Sequence, residues 1–102
     1  MAFTQTTLDI TSVEIFTADR TVAITALYLV NTSSSAVTVT VYLVPPAGSA
    51  SSNRIVYSNL NCNSDETVAV LTERIVLTAG DSIWAECSSQ FAVVATVASV
   101  AV

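Results

Sequence analysis

The chain has 102 residues, a 52% hydrophobic share and only 11% charged residues, against about a quarter charged in an ordinary soluble domain. It has no histidine and no lysine, and eight carboxylates against Arg20, Arg54 and Arg74 leave a net charge of −5. So few cations neutralise few phosphates, so neither nucleic acid nor an anionic membrane is an expected partner. Without histidine and lysine, few groups remain for acid–base or metal chemistry.

In chain order, Met1–Thr7 is a short polar arm, and residues 8–102 form one domain of a size that buries a real core unaided. Thirty-six residues are Val, Ile or Thr, types that favour pleated sheet. Leu8 and Ile10, then Val13 and Ile15, predict a first strand region broken near Thr11-Ser12, and Thr17–Arg20 predicts a turn. Val22–Val30 is apolar at alternate positions on both faces, which suits a central strand. Ala36–Val44 alternates Val37, Val39, Val41 and Leu43 with Thr38, Thr40 and Tyr42. The five-residue Asn31–Ser35 stretch between them is of hairpin length, so the two are expected to pair antiparallel.

Pro45–Asn53 ends that strand in a long loop, and Arg54–Leu60 is expected as a short strand before the Asn61–Asp65 turn. Thr67–Leu71 and Arg74–Leu77 make one long strand or two short ones. Thr78–Asp81 is a tight turn with Gly80 holding a positive φ. Ser82–Cys87 puts Ile83, Ala85 and Cys87 on one face, and Trp84 and Glu86 on the other. Phe91–Val102 closes the chain as a long strand. Seven to eight short strands at such spacing predict an all-β fold, an antiparallel β-sandwich of jelly-roll type. The nine-residue apolar runs within the uncharged stretch 21–53 fall short of the ~20 residues of a membrane-spanning helix. The N-terminus carries no signal-like apolar segment.

No catalytic, cofactor or metal residues are expected. Cys62 and Cys87 have no His or Lys beside them as base, and in a reducing compartment such a pair reads as free, buried thiols. Asp65, Glu66, Glu73, Asp81 and Glu86 are numerous enough for a two-carboxylate glycosidase, but a small sandwich has little room for the cleft. Asn59-x-Asn61-x-Asn63-x-Asp65 has the alternation of a calcium loop. However, Ser64 stands at the glycine position and Val70 at the closing glutamate, so a turn is the better reading. Pro45-Pro46 lacks polyproline-ligand spacing and ends a strand. Trp84, Tyr28, Tyr42 and Tyr57 are candidates for recognition, as interface anchors, sugar platforms or packing.

Two segments, ALYLVNTSSSAVTVTVYLVP at Ala26–Pro45 and IVLTAGDSIWA at Ile75–Ala85, resemble stretches common in small all-β virion proteins of tailed bacteriophages. The resemblance implies a structural role as a capsid decoration (cement) protein or a tail or fibre accessory, and carries over no functional residue. The expectation is therefore a non-enzymatic virion protein without cofactors, made in the host bacterial cytoplasm. It would bind the major capsid protein on the capsid exterior as a homo-oligomer, a trimer foremost. The alternative is a tail or fibre module that binds a host-surface glycan.

Overall fold

The computed structural model describes residues 2–51, 54–70 and 75–102. Within them lie nine strands: β1 (Ala2–Thr7), β2 (Val13–Thr17), β3 (Val22–Asn31), β4 (Val37–Val44), β5 (Ile55–Cys62), β6 (Thr67–Ala69), β7 (Ile75–Leu77), β8 (Ser82–Cys87) and β9 (Val93–Ala101). They form two antiparallel sheets. The first runs β1-β9-β3-β6, with β7 on the same flank of β3 as a second short partner; the second runs β2-β8-β4-β5. The expected all-β sandwich is the observed fold. Leu71–Arg74, where the sixth and seventh strands were expected to extend, lies outside the described residues, as do Met1, Ser52 and Asn53.

The inner faces follow the period-2 pattern, with one change of phase at the bulge between Ile24 and Ala26 of β3. From the first sheet Ile24, Leu27, Leu29, Val93, Ala95 and Val97 turn inward. From the second come Val37, Val39, Val41, Ile83, Ala85 and both cysteines, all buried. Each such Val, Leu or Ile adds about 1.5–3 kcal/mol by leaving water, and the β-branched majority suits a pleated surface.

Two expectations are corrected. The stretch 2–7 is no free arm: it pairs residue for residue with β9, from Ala2↔Ser99 to Thr7↔Val94. Its Thr and Gln side chains alternate between the faces of an edge strand, which needs little apolar residue of its own. Leu8 then leaves the sheet fully buried, and the chain crosses to β2.

The second correction concerns β3 and β4. They do not pair as a hairpin but lie in different sheets, and the Asn31–Ser35 connector arches from one layer to the other. Asn31 holds the arch. Its Nδ2 donates to Ser35 O (2.8 Å) and Cys62 O (2.9 Å), and its Oδ1 accepts from Ser33 N (2.9 Å) and Ser33 Oγ (2.7 Å). The side chain is fully buried, with its donors and acceptors satisfied.

The Thr78–Asp81 turn forms as expected. Gly80 has φ 94°, Asp81 N donates to Thr78 O at 3.0 Å, and Asp81 Oδ2 accepts from both Thr78 N and Thr78 Oγ1 at 3.0 Å. The closing segment is strand, with no helix.

Candidate functional site

The two outer faces of the sandwich differ in chemistry. On the first sheet, cross-strand register stacks four rows: Thr7–Val94–Val30–Thr67, Gln5–Thr96–Tyr28–Ala69, Phe3–Ala98–Ala26 and Val100–Ala23–Val76. A hydrogen bond from Gln5 Nε2 to Thr96 Oγ1 (3.2 Å) confirms that these side chains share a face. Thr4 Oγ1 by contrast reaches inward to Ile15 O of the second sheet (3.2 Å). None of the described residues in these rows is charged, and Phe3, Tyr28, Val76 and Val100 are exposed. These exposed apolar side chains stand among Gln5, Thr7 and Thr67, so the face is uncharged in its described residues and mixed apolar and polar.

The second sheet carries the polar outer face. Register aligns Glu14, Trp84, Tyr42 and Ile55 across all four strands, with Glu86 beside Thr40 one step along. Trp84 and Glu86 therefore lie opposite Ile83, Ala85 and Cys87, as the strand pattern predicts. Trp84 is half-buried and its Nε1 donates to Ser82 Oγ (2.8 Å). Tyr42, 9% exposed, donates its hydroxyl to the Glu86 carboxylate. That bond, followed by burial and the Glu86 charge, pushes the Tyr42 pKa up to about 12. Thr17 Oγ1 donates to Glu14.

A shallow groove of about 280 Å³ adjoins Glu86, lined by Ile10, Thr38, Thr40, Asn59 and Ser88. A larger open groove of about 500 Å³, between Phe16, Arg20, Val22 and Ser99, lies at the side of the sandwich. There Arg20 Nε sits 3.5 Å from Asp19 on a well-solvated surface, an arrangement of little energetic weight.

The remaining sequence candidates do not converge. Cys62 is paired with Val37 and Cys87 with Val39 on opposite flanks of β4. Strands two apart are about 9.6 Å from each other, beyond the ~7 Å reach of a disulfide, and both thiols are free and buried. Burial first, then Glu66 and Cys87, pushes the Cys62 thiol up, away from nucleophilic use. Cys87 Sγ donates to Ser89 O (2.9 Å).

Asn59 and Asn61 lie on β5, and the turn after it bonds to itself: Asn61 Nδ2 to Asn63 Oδ1 (2.9 Å), and Glu66 N to Asn63 O (3.1 Å). Asn59 and Asp65 hold left-handed φ values of 52° and 57°, which Asn and Asp tolerate best among residues with a Cβ. Among the described residues no group of three or more His, Cys, Asp or Glu is placed to hold a metal ion. Glu73 lies outside them. Tyr57 packs against the core, whereas Tyr28 is exposed on the first sheet. No family model, curated protein or solved structure matches the chain.

Sequence reasoning missed the Tyr42–Glu86 bond and the Glu14–Trp84 pairing. The partners are far apart in sequence, and only the β4–β8 and β2–β8 registers bring them together.

Proposed function

We propose that this chain is a non-enzymatic structural protein that works in multiple copies, and that its place is the exterior of a phage capsid, as a decoration protein against the major capsid protein. The observation that carries the reading is the uncharged outer face of the first sheet. The strand residues of β1, β9, β3, β6 and β7, at about 4.8 Å by 3.3 Å each, give it a projected area of roughly 490 Å². That is the order of the ~800 Å² per partner of a standard interface. With no charge among its described residues, the face is covered there without stranding an unpaired ion.

The strand pairing adds support. β4 with β5, β3 with β6 and β7, β2 with β8, and β1 with β9 nest inside one another, as in a long antiparallel ribbon rolled on itself. We read this as a jelly roll, an architecture that recurs in capsid and lectin domains, although fold alone assigns no role. The test is to wash purified particles in about 1 M salt, where the Debye length is ~3 Å, and count copies by mass. Apolar attachment predicts hundreds of copies retained, and a Tyr28→Glu variant lost from the particle. Absence of the chain from particles overturns the reading.

A second reading is favoured by the opposite face. Trp84, the Tyr42–Glu86 pair and the groove hydroxyls and amides of Thr38, Thr40 and Asn59 offer stacking and hydrogen bonding with no basic residue among them. That chemistry suits a neutral saccharide, and so the tail or fibre alternative. A glycan array checks it: a hit that quenches Trp84 emission, and is lost in Trp84→Ala, selects this reading over the first.

A further inference from the structure

An edge strand is a row of unpaired backbone groups, which proteins blunt with charge, bulges, proline or brevity. Three of the four edges here are blunted. β2 carries Glu14 and a register shift between Glu14 and Phe16. β5 is broken by two register shifts and by the left-handed Asn59. Among the described residues, the β6/β7 edge is two three-residue strands.

β1 has none of these devices. It is six residues, AFTQTT, with no charge and no proline, in unbroken register with β9. The bond from Leu8 N to Val93 O (2.8 Å) fixes the alternation. Thr6 points its backbone groups at β9, while Phe3, Gln5 and Thr7 point theirs away from the sheet.

We propose that β1 is the seam at which two copies of this chain join, edge to edge and antiparallel, about a two-fold axis through Gln5. The inference rests on the multi-copy reading above and says where the copies meet. The outward groups are self-complementary in that arrangement: Gln5 faces Gln5, Phe3 faces Thr7, and about six backbone hydrogen bonds form. Chains of net charge −5 meet there without opposed carboxylates. Phe3, 68% exposed in the single chain, gains cover. The two uncharged faces become one continuous wall, and the unit is a dimer in place of the expected trimer.

Proline separates this seam from the fold, because it removes a backbone donor and is tolerated on edge strands where that donor faces solvent. Gln5→Pro removes only an outward N–H, whereas Thr6→Pro removes one bonded to β9. In sedimentation and light scattering of the full chain, the wild type is expected to be dimeric and Gln5→Pro to associate at least about tenfold more weakly, with unchanged circular dichroism. Thr6→Pro is expected to lower the melting temperature. Gln5→Lys, which leaves the backbone intact and opposes two like charges, is expected to dissociate the dimer equally. In amide exchange the Gln5 N–H is expected to be protected in the wild type and to lose protection on dilution to monomer.

Gln5→Lys that stays dimeric, or an unprotected Gln5 amide in an oligomer, overturns the seam while leaving multi-copy assembly standing. A wild type that is monomeric at all concentrations and on particles overturns both.

Discussion

The carboxamide of Asn31 ties together three stretches of chain: its own strand, the serine arch and the end of β5. Asn31→Ala takes its donor from the carbonyl of Cys62 in a buried place, while the exposed Ser35 carbonyl keeps the Ser33 hydroxyl. An unsatisfied buried group costs about 1–3 kcal/mol, so we expect a loss of about 2 kcal/mol, read as a lowered urea midpoint with little change in slope.

Tyr42 gives a pH signature. Its folded pKa of about 12 lies above the ordinary 10.0, so the protonated phenol is favoured in the native state. Its contribution to stability is full below about pH 10 and is lost as pH rises toward 12. In Glu86→Gln the hydrogen-bond acceptor is weaker and the charge is gone. Phenolate absorbance is expected to show Tyr42 titrating at lower pH there than in the wild type, and an unmoved titration would disprove the pairing.

At the scale of the element, the turn before β8 depends on Gly80. A Cβ placed there would lie 2.9 Å from Pro46 Cγ, and φ 94° is strained for any residue with a side chain. We expect Gly80→Ala to cost about 2 kcal/mol, measured as a drop in melting temperature. This turn was legible in the sequence because Gly-Asp after an apolar strand encodes its own geometry. The β3–β4 relation was not. Alternation shows which side chains are buried only up to the irregularities: β3 changes phase between Ile24 and Ala26, and in β4 Tyr42 and Val44 are buried while Leu43 is half-buried. A five-residue connector, however, serves equally as a hairpin within a sheet or as an arch between sheets. The choice lies in Asn31, whose bond to Cys62 spans 31 residues. For the same reason Trp84 and Glu86 were readable as one face of β8, whereas their companions Tyr42 and Glu14 required the registers. β1 was read as an arm because an edge strand with a polar sequence has no periodic apolar signal.

At the scale of the molecule, one wall of the sandwich carries no charge among its described residues, and the other has two carboxylates around a tryptophan and a tyrosine. Such asymmetry gives the particle a sidedness. In the proposed reading the first wall is the one in contact with protein, and the second faces solvent or a small polar ligand. A high hydrophobic share together with low charge is tolerable in a small domain when one wall is covered, since charge on the exposed surface is what keeps isolated domains apart.

β9 stands between β1 and β3 in the first sheet, so the strand that a ribosome delivers after all the others occupies an interior place. Until residues 93–101 emerge, β1 has no neighbour and β3 lacks its longest one, and the inner wall of the second sheet has half its cover missing. Closure of the first sheet therefore waits for β9, and its dependence on distant pairings places folding in the millisecond-to-second range of all-β domains. A nascent chain stalled before Val93 is expected to be cut readily by protease, while the released chain resists. While it waits, the emerging polypeptide holds long, uncharged, β-prone segments in the open, the condition in which a chaperone's grip, or its absence, decides the yield of soluble protein.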